Sequence, residues 1–323
     1  MKTLTVFTPT YNRKHTLPRT YESLCRQTSM DFDWLVIDDG SSDGTREWIE
    51  SLGPKSVSCG QRFDWMGRII DGEDENHFVI DAGFRIEYVY KPNGGLYTGY
   101  NVAYQTIQTE LCVCIDSDDY MPDDAVDKIV KMWKEKGREE YCGITGLDFN
   151  VADGKPIGGY FPKGVDVIWF HELELKKLHG GDTKQVMCTS LMRKVAPMTG
   201  FAGEKNFNPI YMMIQVMDKY PVLLMNDNLC WVEYQIGADS MSQGIFRQYV
   251  NSPHSFAKMR MLEMTLSHNT WKDRFRSAIH YVSSCLIAKD GEWLKKSPQK
   301  MMTICAAPMG VLLYCFIYYK TRK

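Results

Sequence analysis

Three short apolar runs that each stop abruptly at polar residues constrain this chain most. Leu4–Thr8 leads into Pro9-Thr10, Trp34–Ile37 into Asp38-Asp39-Gly40, and Leu111–Ile115 into Asp116-Ser117-Asp118-Asp119. Short apolar runs with turn-forming ends read as buried strands. Helix-like segments lie between them: Leu17, Tyr21 and Leu24 at helical spacing, then Thr45–Leu52, Gly99–Gln108 and, after Pro122, Ala125–Lys136. Arg85–Tyr90 is a further strand candidate. Alternation of this kind implies an α/β, Rossmann-like fold with a mostly parallel central sheet and helices on both faces. Ligands of such sheets sit outside the carboxyl ends of the strands, where the three polar ends converge.

The rest of the chain departs from that alternation. Residues 53–84, with Gly53-Pro54, Cys59-Gly60 and the acidic Asp71–Glu75, read as an inserted loop or lid. Asn150–Gly164 is turn-rich and reads as a hairpin, Val186–Met192 and Leu229–Tyr234 as strands, Pro209–Lys219 as a helix, and 251–290 as two helices. The expected division is a domain over 1–250 (1–135, the insert, and 136–250) and a helical extension over 251–323.

Charge separates the same two parts. The total is −2, which argues against a nucleic-acid binder, yet residues 258–323 carry twelve Lys or Arg against four Asp or Glu, leaving −10 on residues 1–257. Within the basic tail, Thr303–Tyr319 holds no charge, and Lys295, Lys296, Lys300, Lys320, Arg322 and Lys323 flank it. A monotopic membrane anchor, an oligomer-contact helix and a short spanning helix all fit that pattern. The ten cysteines form no CxxC pair and read as reduced, small hydrophobes. No secretory signal is visible at the start, which reads as a first strand.

Two acid clusters carry the chemical signal. Carboxylates two apart at a strand end, Asp116 and Asp118, suit a hard divalent cation such as Mg2+ or Mn2+ and a diphosphate bound to it; a turn into a helix N-terminus accounts for the same acids. Asp38-Asp39 precede the turn Gly40-Ser41-Ser42-Asp43-Gly44-Thr45 and suit a nucleobase imide or ribose hydroxyl, or a plain capping turn. Asn93-Gly94-Gly95, with Asn101 beyond it, permits close approach of a ligand to the main chain.

Together, Thr8-Pro9-Thr10-Tyr11-Asn12-Arg13, Val36-Ile37-Asp38-Asp39-Gly40-Ser41-Ser42-Asp43-Gly44-Thr45, Asn93-x-Gly95-(x)5-Asn101 and Asp116-Ser117-Asp118-Asp119 resemble the family 2 glycosyltransferases of GT-A fold, in the same order and each at a strand end. The resemblance is specific over about 1–135. It continues more weakly through Gly181-Asp182, Gly203-Glu204-Lys205 and Val232-Glu233-Tyr234-Gln235 to Tyr249–Phe256, which resembles bacterial members that build surface polysaccharides.

The resemblance implies a donor site made of Thr8, Pro9, Thr10, Tyr11 and Asn12, of Asp38 and Asp39 at base and ribose, of Asn93, Gly95 and Asn101, and of Asp116 and Ser117. It implies a divalent cation, Mn2+ or Mg2+, on Asp118 and Asp116, and an acceptor-activating carboxylate at Glu204, with Asp182 the second candidate. Its partners are a nucleotide-sugar donor, most simply UDP-linked, and a glycan or lipid-linked glycan acceptor, at the inner membrane surface of the cytoplasm. Inverting transfer needs a neutralised leaving diphosphate, an acceptor hydroxyl that loses its proton, and a carbon held in line between them. Two departures stand out: Leu96-Tyr97 replaces a frequent Lys-His pair, and Tyr234–Ser240 lacks the His that completes many metal shells, leaving Gln235 or Asp239 as substitutes. A sugar-phosphate nucleotidyltransferase is the alternative enzyme, but Thr8–Arg13 lacks the Gly-rich loop it needs; a non-catalytic nucleotide-sugar-binding subunit is the other alternative.

Overall fold

The computed structural model describes residues 2–233 and 244–321. Its strands are β1 (Leu4–Thr10), β2 (Phe32–Asp38), β3 (Lys55–Val57), β4 (Gly60–Phe63), β5 (Ile69–Asp74), β6 (His77–Asp81), β7 (Arg85–Tyr90), β8 (Leu111–Cys114), β9 (Gly143–Asn150), β10 (Val167–Ile168), β11 (Thr183–Cys188) and β12 (Val222–Val232). The helices among them are α1 (Leu17–Cys25), α2 (Thr45–Glu50), α3 (Leu96–Thr106), α4 (Ala125–Lys136), α5 (Phe170–Leu175), α6 (Thr189–Arg193) and α7 (Ile210–Met217). After them come α8 (Ile245–Asn251), α9 (Pro253–Glu263), α10 (Trp271–Ile287), α11 (Trp293–Lys296) and α12 (Lys300–Thr321).

Ten strands form one sheet in the order β10-β12-β9-β11-β8-β1-β2-β7-β6-β3. Its centre, β8-β1-β2-β7, is parallel. All seven residues of β1 are buried, because it has strands on both edges and helices over both faces. Register sets the strand ends level: Thr10 pairs with Asp38, Asp38 with Tyr90, and Phe7 with Cys114. The three polar ends therefore open on one rim, as the sequence pattern requires.

Residues 53–84 are strands rather than a loop. β6 adds antiparallel to β7 and carries β3 on its outer edge, while β4 and β5 form a separate hairpin. The buried run His77–Ile80 was the signal for this, masked by the exposed β3 and β5 on either side. The start of the stretch 150–164 folds back on the end of β9 as a short hairpin: Phe149 bridges Pro156 antiparallel, the Asn150 amide donates to the Lys155 carbonyl (2.9 Å) and the Ile157 amide to the Asp148 carbonyl (2.8 Å), and turns follow. The run expected as a strand over 186–192 changes at Cys188, where α6 begins. The last strand begins at Val222, seven residues before the expected start.

The chain divides into two compact units: Met1–Gly94, Thr98–Met198 and Met212–Tyr234 form the first, and Gly95–Tyr97, Thr199–Tyr211 and Gln235–Lys323 the second. The second unit thus includes two segments from earlier in the chain. Its core joins α9, α10 and α12 through Ala257, Met264, Ala278, Tyr281, Cys285 and Ala306. Thr270 and Asp273 cap α10 reciprocally. Gly310 of α12 lies against Val282 of α10, where a Cβ would meet the valine side chain at 2.6 Å, so this crossing needs glycine.

Candidate active site

The Asp38-Asp39 end of β2 is closed by its own neighbours. Asp38 accepts from the Ser41 amide (2.7 Å) and the Tyr88 hydroxyl (2.7 Å), and is buried. Burial raises its pKa above the ordinary carboxylate value, and these two donors oppose the rise. Asp39 accepts the Lys91 ammonium, the Gly94 amide (2.9 Å) and the Asn93 side-chain amide (3.1 Å). Lys91 is itself wholly buried, so this is an ion pair removed from water. Gly40 turns here at φ +86°, with the Asn93 amide where a side chain would begin. The pair expected at base and ribose is also hydrogen-bonded within the turn, and Lys91, which sequence reasoning missed, is the counter-ion of Asp39.

The Asp116–Asp119 end of β8 is the opposite case. Asp116 accepts only the Cys114 thiol, at 3.7 Å, and Asp118 accepts no hydrogen bond from another side chain among the described residues. Burial, then the neighbouring Asp116 charge, raises the Asp118 pKa, with Arg13 and Arg19 opposing. Arg19 of α1 donates to the Asp118 carbonyl, pairs with Glu233 and lies 5.0 Å over the Tyr120 ring, which fixes the loop without covering its carboxylates. Asp119 turns inward toward Lys184 and Asp148. Burial lifts Asp119 to about 7 and Asp148 to about 6, with the buried Lys184 ammonium opposing both. Nothing in the sequence around Lys184 marks it as the cation beneath this loop.

The remaining expected donor residues divide between framing and exposed roles. Thr8 is buried and accepts from the Trp34 indole (3.0 Å). Pro9 packs on Gly99. Asn12, at φ +53°, binds the Ser42 amide through its Oδ1 (2.8 Å). Asn101 is buried and spends its amide on Met66 and Met198: Nδ2 donates to both carbonyls and Oδ1 accepts the Met198 amide, each at 2.9 Å. By contrast, the Thr10 hydroxyl is buried with no partner among the described residues, Tyr11 is half exposed and Ser117 lies beside the acids. Of these, Tyr11 is exposed and Asp116 and Asp118 are half-buried on this rim, whereas Thr10 and Ser117 are buried.

Asp182 precedes β11 in the first unit, and its charge helps to raise Asp148. Glu204 belongs to the second unit, where both of its carboxylate oxygens meet the start of α9. In that unit Gly95, at φ +96°, abuts Lys205: a Cβ there would lie 2.4 Å from the Lys205 carbonyl oxygen. The Gln235 and Asp239 substitutes lie outside the described residues.

The rim holds Asp116 and Asp118 as two neighbouring carboxylates with one side-chain donor between them, which fits a divalent cation; no cluster of three or more metal-ligating side chains occurs among the described residues, so diphosphate and water would complete the shell.

Comparison with known proteins finds similarity in sequence and in fold. Residues 5–156 match the family model described as glycosyl transferase family 2. A chondroitin synthase of Pasteurella multocida is 26% identical over 49% of this chain and 14% of its own length. An undecaprenyl-phosphate 4-deoxy-4-formamido-L-arabinose transferase of Serratia proteamaculans is 21% identical over 50% of this chain and 47% of its own. The chain thus spans less than half the length of either curated relative. The crystal structure of S. aureus TarS 1–349 in complex with UDP-GlcNAc superposes with a TM-score of 0.58 over 95% of this chain and 79% of that one, at 15% identity, a likeness of fold. With its four strand-end motifs on one rim and a matching family model, the chain carries a family 2 glycosyltransferase region over residues 5–156, on a GT-A fold.

Proposed function

We propose that this protein is an inverting glycosyltransferase that moves a sugar from a UDP-linked donor to a hydroxyl of a glycan or lipid-linked glycan during surface-polysaccharide synthesis. The observation that carries the reading is the Asp116–Asp118 pair, held at a parallel strand end with a single thiol as its side-chain donor among the described residues. Asp118 and Asp116 would hold Mn2+ or Mg2+, which when bound neutralises the leaving diphosphate. Thr10 and Tyr11 offer a hydroxyl and an aromatic face to the nucleoside, and Ser117 a hydroxyl beside the diphosphate. Gly95, Asn93 and Asn101 shape the loop around them, with Asp38 and Asp39 as its frame. Inversion by one displacement asks for one base, which the Glu204 region supplies, with Asp182 as an acceptor-site acid.

The tail suits the inner face of a membrane. Helix α12 buries Thr303, Ala306, Gly310 and Ile317 within its own unit and leaves Met301, Leu312, Phe316 and Tyr319 in solvent. One helix among the described residues, α12, is long and apolar enough to cross a membrane. Its buried stripe favours lying on the surface, where Lys295, Lys296, Lys300 and Lys320 meet anionic headgroups.

Nucleotide release from a panel of nucleotide sugars, with Mn2+ and with chelator, tests the activity. Release from UDP-sugars that chelator abolishes is expected, and no release from any of them overturns the reading. Removal of residues 300–323 should release the protein from anionic vesicles; undiminished sedimentation rejects the surface role.

A further inference from the structure

Beneath the Asp116–Asp119 loop lie three charged side chains that make no hydrogen bond to one another. Lys184 of β11 stands opposite Gly146 of β9, two residues before Asp148, so Lys184 and Asp148 rise from the same face of the sheet. Lys184 Nζ stops 3.7 Å from Asp148 Oδ1, an ion pair beyond hydrogen-bond reach. Asp148 Oδ1 is enclosed without a hydrogen-bond partner among the described residues, and only 5% of that side chain is exposed. The Asp119 carboxylate is buried as well, and charge alone links it to its neighbours. Burial lowers the Lys184 pKa, but the carboxylates of Asp148, Asp116 and Asp119 outweigh it and keep the ammonium charged.

Strand register sets this cluster beside the cation site, within one compact unit. β11 runs antiparallel to β8 with Val186 opposite Val113, so the same ladder carried two residues further brings Lys184 level with Ile115, next to Asp116. Asp119 shares its loop with Asp116 and Asp118, and 11% of the Lys184 side chain stays exposed. Buried polar groups are normally hydrogen-bonded, so a cluster without internal bonds marks a place where a ligand completes them. The single ammonium already faces three carboxylates, which leaves no positive charge for a further anion. A hydroxyl suits the cluster better: it can accept an N–H from Lys184 and donate its own proton to a carboxylate. A sugar on a diphosphate held at Asp116 and Asp118 presents hydroxyls at this place.

We propose that Lys184 and Asp119 form a hydroxyl-binding subsite beside the cation site, which selects the sugar, and that Asp148 is the positioning residue of Lys184. The proposal rests on the transferase reading above. A sugar hydroxyl accepts from the Lys184 ammonium and donates to the Asp119 carboxylate, while Asp148 holds the ammonium under the loop. The hydroxyl belongs to the transferred sugar of the donor or to the acceptor sugar that meets it, and the two sources give different readouts.

The test is calorimetry of the full chain with Mn2+, comparing UDP with a UDP-sugar that the wild type turns over. Lys184→Met should bind UDP within about twofold of the wild type and the UDP-sugar about tenfold or more weakly, the loss expected for a hydrogen bond from a charged group. A deoxy analogue lacking the bound hydroxyl should bind the wild type as weakly, and should lose nothing further in Lys184→Met, a coupling that a merely structural role would not produce. Asp119→Asn, nearly isosteric, removes the charge of the accepting group and should show the same selectivity, which keeps the proposal testable if Lys184→Met does not fold. Asp148→Asn should give a smaller loss of the same kind. Unchanged UDP-sugar affinity with an acceptor KM raised about tenfold assigns the subsite to the acceptor sugar. Equal losses for UDP and UDP-sugar overturn the proposal, as do donor affinities and an acceptor KM that all stay within about twofold of the wild type. In either case a wild type that transfers sugar leaves the transferase reading standing. A wild type that transfers sugar from no nucleotide sugar overturns both.

Discussion

Two strand ends on the same rim carry the same sequence signature and do opposite work. At β2, Asp38 and Asp39 spend their oxygens on Ser41, Tyr88, Lys91, Asn93 and Gly94. At β8, Asp116 and Asp118 receive only a thiol among the side chains described. Acids after an apolar strand thus show where a site is, while the count of internal donors shows which acids remain for a ligand. Paired acids need no cation from outside; unpaired ones do.

Removing one acid from each end should break or confirm the contrast. The largest effect is expected for Asp118→Ala, a loss of roughly 10²–10³-fold or more in transfer rate with an unchanged melting temperature; an active variant removes Asp118 from the cation site. Lys91→Met should act on stability, because it leaves the buried Asp39 carboxylate without its counter-ion, a cost of about 3–5 kcal/mol measurable by denaturant unfolding. A variant as stable as the wild type would show that Asp39 is free for a ligand after all. Tyr88→Phe removes one donor from Asp38 and should cost about 1–3 kcal/mol, with the rate per folded molecule preserved.

The smallest effect is one of pH. Burial raises Asp148 to about 6, so the folded state holds its proton more tightly than the unfolded chain does. Its contribution to stability is therefore full below about pH 4, the usual carboxylate value, and is lost as pH rises from there through about 6. Asp148→Asn should remove that slope, so the melting temperature of the variant falls less than that of the wild type between pH 4.5 and 7.5. Parallel curves would mean that Lys184 fully compensates Asp148 in the fold.

The legible part of the molecule is the part built from local periodicity. Helix α4 and strand β7 occur at the bounds that the sequence pattern predicts, because an amphipathic helix and a half-buried strand each declare themselves within one window. Edge strands β3 and β5, mostly exposed, declare nothing. The start of β12 was missed because Asn226, Asp227 and Asn228 interrupt its apolar run, and register shifts near Asn228 accommodate them.

The site divides in the same way. The motifs placed the rim and named its acids, since strand-end chemistry is contiguous in the chain. Lys91 and Lys184 went unseen as counter-ions, because an ordinary lysine becomes a buried cation only when distant carboxylates close around it. The partners of Glu204 were likewise unseen, because α9, fifty residues later, brings His254 and Ser255 onto its carboxylate. By itself the sequence determined the alternating elements, the parallel centre and the level of the polar ends, because these follow from side-chain period and strand pairing. Only the tertiary structure decided which acids are satisfied and which cations they meet, because hydrogen-bond satisfaction depends on what the whole chain packs around each group.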